Sequence, residues 1–298
     1  MHERSDPPNP DLSPVAAGLW RLHRWNWPPA QLARWIEECV AIGITSFDHA
    51  DIYGDYGNEA LFGAALRLVS ASTRDRIRLV SKCGIRLVTH ARPLHRIKSY
   101  DSSGAHIRAS VDHSLQQLGV DRLELLLLHR PDSLMEPIEV AAAFADLQRA
   151  GKVAHFGVSN FTTSQFELLH AVWPLATNQI EFGPLALAPL DDGTLDQCLR
   201  LGTRPMAWSP LSGGNLLESS DARAVAVRAA LQPIAAEHAL SLAGAAYAWL
   251  ARHPCRPWLI TGSGRLERVR EAVAASAIRI TREQWYAVLQ ASRGHEVA

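Results

Sequence analysis

Short apolar runs alternate with longer amphipathic stretches along almost the whole chain. In the longer stretches apolar residues recur three and four positions apart, as at Leu32, Trp35 and Ile36, which places them on one face of a helix. The short runs predict eight strands, over residues 15–19, 44–48, 77–82, 123–129, 153–158, 176–181, 205–208 and 258–261. The amphipathic stretches predict helices between them, and the later ones cover residues 135–150, 162–173, 190–202, 221–252, 265–275 and 281–292.

Strict alternation of strands and helices indicates an α/β protein whose parallel strands are joined by helical crossovers. Eight such units close naturally into a single (β/α)8 TIM barrel, with the active site at the carboxyl ends of the strands. An open doubly wound sheet is the alternative, but it would place a Gly-rich turn after the first strand, where this chain has Gly18-Leu19-Trp20-Arg21. We expect one barrel domain over residues 13–298, preceded by a flexible tail over residues 1–12.

Composition narrows the class of protein further. Of the 298 residues 47% are hydrophobic and 20% are charged, which is typical of a soluble globular chain. Lys and Arg total 30 and balance 30 Asp and Glu, so the chain lacks the basic excess typical of a nucleic-acid binder. The start is polar and Pro-rich, the apolar runs are too short to cross a bilayer, and the four Cys are scattered without zinc-binding spacing. We expect a cytoplasmic protein with no membrane or nucleic-acid partner.

Four polar residues at the predicted strand ends have types that together suit carbonyl chemistry. Asp48 ends the second strand and Tyr53 follows it, Lys82 ends the third strand, and His129 ends the fourth. A nearby ammonium lowers the pKa of a phenol, so Lys82, kept charged by Asp48, would prepare Tyr53 to donate a proton to a carbonyl oxygen. His129 would hydrogen-bond the same oxygen. Because the set has no obvious nucleophile, it favours reduction by an external hydride over hydrolysis.

The same residue types would also suit a structural role or a metal site. A Lys at a strand end can simply be solvated, a Tyr can line a rim, and an Asp can form a turn. Asp48, His49, Asp51 and His129 are also potential metal ligands, which leaves a metal-dependent barrel hydrolase as an alternative. Such hydrolases gather several His on neighbouring strands, whereas here only His129 ends a strand. We therefore expect no metal.

The same positions resemble the aldo-keto reductase family. Residues 43–54, Gly-Ile-Thr-Ser-Phe-Asp-His-Ala-Asp-Ile-Tyr-Gly, place the Tyr five positions after the Asp, as in the family's signature. Val-Ser-Lys at 80–82 and Leu-His-Arg-Pro at 128–131 are similar to its Lys and His segments. The resemblance runs from about residue 12 to about residue 294. It implies a (β/α)8 barrel, Asp48, Tyr53, Lys82 and His129 as catalytic residues, and a nicotinamide dinucleotide bound without a Rossmann motif.

The resemblance also implies where the cofactor binds. It assigns cofactor contacts to Gly18, Trp20, Ser159, Asn160, Gln179, Trp208, Ser209, Leu211, Gly213, Gly262, Ser263, Arg265, Arg268 and Glu271. Within this set, Ser159, Asn160 and Gln179 would hydrogen-bond the carboxamide. The nicotinamide would stack on the Trp208 indole, and the loop over residues 209–213 would cover the pyrophosphate. Ser263 and Arg268 match the positions that hold the 2′-phosphate, which favours NADP(H) over NAD. This chain departs from the family's pattern at two positions. It has Gly262 where members of the family often have Lys or Pro, and Ala272 where they often have Asn.

The substrate is predicted less sharply than the cofactor. Trp20 and Trp25, together with Tyr53 and His129, would form a pocket for a largely apolar aldehyde or ketone. Packing of Trp25 and Trp27 on the adjacent helix is an alternative of equal weight. We expect a monomer or a weak homo-oligomer. Some members of the family are regulatory subunits that hold the cofactor as a sensor, but the complete set of four polar residues here favours retained chemistry.

Overall fold

The computed structural model describes residues 8–298, and eight of its strands form a closed parallel barrel. Each predicted strand overlaps one of them, and the predicted fold class is confirmed. The barrel strands are β1 (Val15–Gly18), β2 (Ser46–Asp48), β3 (Arg78–Cys83), β6 (Leu123–Leu128), β7 (Val153–Ser159), β8 (Asn178–Glu181), β9 (Met206–Trp208) and β10 (Trp258–Thr261). Around the barrel they follow the order β1-β10-β9-β8-β7-β6-β3-β2. A separate antiparallel hairpin, β4 (Ile85–Arg86) with β5 (Ser99–Tyr100), lies between β3 and the next helix.

Helices follow the barrel strands along the chain. They are α1 (Pro29–Ala41), α2 (Tyr53–Tyr56), α3 (Asn58–Leu66), α4 (Ala71–Arg74), α5 (Gly104–Leu118), α6 (Pro137–Arg149), α7 (Thr163–His170), α8 (Ala188–Asp191), α9 (Thr194–Leu201), α10 (Asn215–Glu218), α11 (Ala222–Glu237), α12 (Leu242–Ala251), α13 (Leu266–Ser276) and α14 (Arg282–Arg293). Two 3₁₀ turns, Leu22–Arg24 and Ser212–Gly214, lie in the loops after β1 and β9. No helix in residues 8–298 is both long enough and apolar enough to span a membrane.

Two apolar clusters explain why the strands are continuous hydrophobic runs. In β6, Leu125 and Leu127 belong to a small cluster with residues from other barrel strands, whereas Leu126 and Leu128 belong to the large cluster shared with the helices. Successive side chains of a strand point to opposite faces, so a barrel strand covered by helices buries both faces. The interior of the barrel is therefore filled with side chains, and the polar residues are left at its ends.

The helices of the structure are more numerous than the predicted ones, as two cases illustrate. The stretch 221–252, predicted as one helix, is two helices, because Ala239 has a left-handed backbone with φ +53° that a helix cannot continue. The second of them, α12, begins after Ser241, whose hydroxyl accepts from the Gly244 N–H. Helix α3 was not predicted, because its Ala and Gly residues produce little contrast between an apolar and a polar face.

The amino-terminal segment contacts the amino-terminal end of the barrel. Pro10 is buried, the Asp11 N–H donates to Glu124 Oε1 at 2.9 Å, and the Asp11 carboxylate pairs with Arg78 at 2.8 Å. Residues 1–7 of the predicted tail lie outside the described residues.

Candidate active site

A buried ion pair lies at the carboxyl ends of β2 and β3. Lys82 Nζ donates to both carboxylate oxygens of Asp48 at 2.8 Å and to the His49 carbonyl at 2.7 Å. From across the barrel, Gln179 Nε2 donates to Asp48 Oδ1 at 2.8 Å, and Gly18 of β1 pairs with Asp48 in the sheet. Only 1% of Lys82 and 3% of Asp48 is exposed. The carboxylate is therefore held from several strands and compensates the buried ammonium.

Tyr53 and His129 lie beside this pair. Lys82 Nζ is 3.2 Å from the Tyr53 hydroxyl and 4.9 Å from the centroid of the Tyr53 ring. The Tyr53 and His129 rings meet edge to face, with centroids 5.7 Å apart. Because β2, β3 and β6 are neighbours in the barrel, residues far apart in sequence meet at one mouth. The structure thus brings the four predicted catalytic side chains together.

Burial, and not only the ammonium, decides the protonation of the phenol. Burial raises the pKa of Tyr53, and the Lys82 charge opposes this without reversing it. The Lys82 charge acts on the pKa of Tyr53 in the expected downward direction, but burial disfavours the phenolate more than one ammonium favours it, so the pKa is raised overall. Burial alone would lower the pKa of Lys82, but the Asp48 carboxylate and Tyr53 outweigh burial and raise it. The site therefore holds a protonated phenol beside a charged ammonium.

His129 is a neutral imidazole in this environment. It is 7% exposed, and burial, followed by the charges of Lys82 and Arg130, holds its pKa well below the usual range. Its Nδ1 has no hydrogen-bond partner within residues 8–298. A neutral imidazole can donate one hydrogen bond without adding charge to the pocket.

The ends of β7, β8 and β9 carry a second polar group. Asn160 Nδ2 donates to Ser159 Oγ at 2.7 Å, and Ser159 Oγ donates to the Gln179 carbonyl at 3.0 Å. The Trp208 indole Nε1 donates to Asn160 Oδ1 at 3.1 Å, which fixes the orientation of both side chains. Asn160 adopts φ +58°, a conformation that Asn tolerates better than most residues. These amide and hydroxyl groups offer the donors and acceptors that a carboxamide requires, with an aromatic ring beside them.

The loop after β9 has an unusual backbone. Ser209 and Ser212 have left-handed φ angles of +53° and +50°, and Gly213 follows with +70°. The Gly213 N–H donates to Ser209 Oγ at 3.0 Å. Arg21, from the loop after β1, donates to the Gly213 carbonyl at 3.4 Å and lies over the exposed Trp20 ring. The sequence analysis does not include Arg21 in the candidate site, although Arg21 directly follows the predicted cofactor residue Trp20.

The predicted adenosine-end residues do not all have the same surroundings. The loop after β10 carries Ser263, whose Oγ accepts from the Arg265 N–H at 3.1 Å, and the Arg265 and Arg268 side chains are exposed. Glu271 instead accepts from the Ser241 N–H at 2.6 Å and the Ser241 hydroxyl at 2.8 Å. Glu271 therefore stabilises the start of α12.

Trp25 belongs to an aromatic cluster. Its ring centroid is 4.8 Å from that of Trp27 and 5.1 Å from that of Trp35 on α1. A Cβ at Gly264, in the loop after β10, would lie 3.1 Å from the Trp25 indole. The Trp25 indole therefore packs between α1 and that loop, which is the arrangement that the alternative for Trp25 describes. Trp20, the other Trp of the predicted substrate pocket, is exposed, with 57% of its surface accessible.

The potential metal ligands are dispersed. Within residues 8–298, no group of three or more His, Cys, Asp or Glu side chains is arranged to hold a metal ion. His49 packs against Phe62 with ring centroids 4.6 Å apart, and burial followed by the Lys82 charge lowers the pKa of His49 to about 3. Burial, followed by the Glu59 charge, raises the pKa of Asp51.

The closed barrel and the polar residues at its carboxyl mouth define a (β/α)8 protein with an enzyme-like site. The family model described as Aldo/keto reductase family matches residues 14–293. The chain belongs to the aldo/keto reductase family, and membership supports oxidoreductase chemistry on small carbonyl compounds.

Individual relatives agree with this assignment, and solved structures share the fold. The chain is 47% identical to Oxidoreductase YdhF of Escherichia coli (strain K12) over 294 residues, 98% of this chain and 97% of that protein. It is 39% identical to a 6-dehydroglucose reductase of Agrobacterium fabrum over 97% of both chains. The aldo/keto reductase from Klebsiella pneumoniae, solved with NADP and acetate, superposes with a TM-score of 0.75 at 25% identity, covering 94% of this chain and 90% of that one. The glycerol dehydrogenase AKR11B4 from Gluconobacter oxydans shares the fold, with a TM-score of 0.82 at 24% identity over 97% and 94% of the two chains.

Proposed function

We propose that this protein reduces an aldehyde or a ketone to the alcohol with NADPH as the hydride donor. The observation that carries the proposal is the buried Lys82 ammonium, which contacts the Asp48 carboxylate at 2.8 Å and the Tyr53 hydroxyl at 3.2 Å. A protonated phenol next to a fixed cation is a proton donor whose conjugate base is stabilised where it forms.

The reaction needs a hydride at the carbonyl carbon and a proton at the carbonyl oxygen. When bound, a reduced nicotinamide supplies the hydride. Tyr53 then donates its hydroxyl proton to the oxygen as that oxygen gains charge, and the Lys82 ammonium stabilises the resulting phenolate. Asp48 keeps the ammonium charged and in place. His129, neutral and 5.7 Å from Tyr53 between ring centroids, hydrogen-bonds and orients the same oxygen.

The residues at the other strand ends fit a nicotinamide dinucleotide. Ser159, Asn160 and Gln179 would hold the carboxamide, which selects the face of the ring that meets the substrate. Trp208 would stack against that ring, and its hydrogen bond to Asn160 already orients the indole. The loop over 209–214 would cover the pyrophosphate, and the Arg21 cation at the edge of this loop adds attraction.

Preference for NADP(H) rests on the loop after β10. Arg268 is exposed, and its guanidinium makes no hydrogen bond within residues 8–298, so it is available for a 2′-phosphate beside Ser263. The Klebsiella relative, whose structure contains NADP, supports the same choice. A guanidinium binds phosphate through two parallel hydrogen bonds, which the hydroxyl of NAD does not offer.

The proton donor is tested by Tyr53→Phe. Consumption of NADPH at 340 nm is followed with a panel of carbonyls, including 6-dehydroglucose, the compound named for the Agrobacterium relative. We expect turnover to fall by about 10³-fold, the range for loss of a general acid. Binding of NADPH, measured by quenching of Trp fluorescence, should stay within about twofold of the wild type because the phenol is not a principal cofactor contact. Unchanged turnover would refute Tyr53 as the acid.

The cofactor preference is tested by Arg268→Ala. Loss of a charged hydrogen bond to phosphate should weaken NADPH by roughly tenfold to a hundredfold and leave NADH nearly unaffected. Arg270→Ala is the matched control, because Arg270 is also exposed on α13 and has no predicted contact with the cofactor. An equal effect of Arg268→Ala on the two cofactors would exclude the 2′-phosphate role.

A further inference from the structure

The segment between β3 and α5 is a long loop next to the candidate active site. We name residues 84–101 the β4–β5 loop, after the hairpin that closes its base. Three of its apolar residues are largely exposed, namely Val88 at 59%, Leu94 at 89% and Ile97 at 73%. The loop starts where the His129 N–H donates to the Cys83 carbonyl at 2.8 Å. The charge of Lys98, at its far end, contributes to the lowered pKa of His129. The loop therefore begins beside His129, at the end of the barrel that carries the candidate active site.

One side chain joins this loop to the turn that carries Tyr53. The Tyr56 hydroxyl donates to the Ile85 carbonyl at 3.3 Å and accepts from the Leu87 N–H at 3.1 Å. The Arg92 guanidinium lies over the Tyr56 ring, 4.6 Å from its centroid. Tyr56 thus contacts both the base and the middle of the β4–β5 loop, from a position three residues after the proposed proton donor.

The turn that places Tyr56 there has a strained backbone. Gly54, Asp55 and Tyr56 are consecutive left-handed residues, with φ of +58°, +59° and +66°. L side chains disfavour this conformation, and strain of this kind persists only where surrounding contacts maintain it. Asn58 supplies such contacts, because its Nδ2 donates to the Leu19 carbonyl at 2.8 Å and the Trp20 carbonyl at 3.1 Å. A Cβ on Gly54 would collide with the Asn58 side chain, so glycine is required at that position.

We propose that Tyr56 is a positioning residue, which holds the β4–β5 loop against the turn of Tyr53 so that a carbonyl substrate is enclosed with the proton donor in place. The inference rests on the proposed function and adds a determinant of substrate binding to it. Tyr56 acts through two backbone groups of the loop and through the turn itself. Its removal should therefore affect capture of the substrate more than the chemical step or the cofactor.

The test is Tyr56→Phe, which keeps the ring and the stacking of Arg92 but removes both hydrogen bonds. We expect kcat/KM for carbonyls larger than acetaldehyde to fall about tenfold, mainly through KM, the scale for two lost neutral hydrogen bonds. NADPH affinity should stay within about twofold. Trypsin should cut after Arg96 and Lys98 several-fold faster than in the wild type, because the loop is released. Tyr100→Phe is the matched control, since the Tyr100 hydroxyl makes no hydrogen bond within residues 8–298, and it should match the wild type in all three measurements.

Two results would overturn the inference. One is a Tyr56→Phe variant with unchanged tryptic cleavage and unchanged KM. The other is a variant in which NADPH affinity and kcat fall as much as kcat/KM does, which would indicate general damage to the fold. If the wild type reduces no carbonyl, the proposed function fails. The cleavage rates would still test whether Tyr56 holds the β4–β5 loop in place. Should Tyr56→Phe be insoluble, Arg92→Gln keeps the hydroxyl and loses only the stacking. Arg92→Gln should accelerate cleavage after Arg96 and raise KM by a smaller factor than Tyr56→Phe. If the cleavage rate and KM both stay at the wild-type values, the inference is refuted.

Discussion

The buried pair of Asp48 and Lys82 makes Asp48→Asn a demanding test of the site. Both side chains are buried, and both carboxylate oxygens lie 2.8 Å from the ammonium. Removing one partner of a buried ion pair costs about 3–5 kcal/mol, because the other charge stays buried without compensation. Lys82 can limit the loss by releasing its proton. With an ordinary pKa of about 10.4, neutralising it at pH 7 costs about 5 kcal/mol, so we expect a loss of about 4 kcal/mol in the free energy of unfolding.

The same change should alter the dependence of stability on pH. In the wild type the folded pKa of Lys82 is raised, so its contribution is complete below about 10.4 and is lost as pH rises through the folded pKa. In Asp48→Asn, burial without the carboxylate depresses the folded pKa of Lys82 below its unfolded value. Between those two values the unfolded chain binds more protons, and stability rises with pH. The difference in free energy of unfolding between the wild type and Asp48→Asn should therefore become smaller between pH 7 and pH 9.5.

Urea unfolding at the two pH values, followed by circular dichroism and Trp fluorescence, measures both effects. The control is Asp146→Asn, because the ion pair of Asp146 with Arg108 is exposed and should matter little at either pH. Combining Asp48→Asn with Lys82→Met should recover most of the stability, since no charge is then left unpaired. Two results would refute the interpretation that Lys82 is charged and compensated by Asp48. One is a loss in the free energy of unfolding of Asp48→Asn below about 1 kcal/mol at pH 7, and the other is an equal loss at the two pH values.

Three further predictions follow from single contacts. Burial and the Lys82 charge keep His129 neutral, so kcat/KM should not decline between pH 8 and pH 6, and an inflection near the ordinary His pKa of about 6.5 would contradict this. Trp249 is fully buried, stacks on Trp285 at 5.1 Å and donates to its carbonyl, so Trp249→Ala should cost about 4 kcal/mol by urea unfolding. Thr281 and Gln284 form a capping box at the start of α14, and Thr281→Ala should cost about 1 kcal/mol, seen as a fall in Tm of a few degrees.

Local patterns were sufficient to predict the barrel strands but not every helix. A run such as 125–128 is apolar at every position because a barrel strand is buried on both faces, and that signal is local. The sequence predicts neither the break at Ala239 nor helix α3, which begins at Asn58. The first depends on a left-handed residue whose neighbours are fixed by α12 and Glu271, and the second lies in a sequence of small residues with little periodicity.

In the candidate site, too, the sequence predicts one part and the folded structure decides the other. Residue types at strand ends, and their order, were enough to propose Asp48, Tyr53, Lys82 and His129, because parallel strands of a barrel all end at the same mouth. Their protonation could not be derived from that order. Burial of the phenol outweighs the ammonium beside it, and burial is a property of the packed molecule.

Side-chain direction is the other property that required the folded chain. Three Trp residues in one short segment looked alike in the sequence, yet Trp20 is exposed beside Arg21 while Trp25 packs into an aromatic cluster. The contacts of Tyr56 depend on three consecutive left-handed residues, which no periodicity encodes. Periodicity and residue type report which strands and helices form, because those depend on neighbours along the chain. Distances between loops, exposure and charge compensation depend on neighbours brought together by the barrel, and so only the tertiary structure decides them.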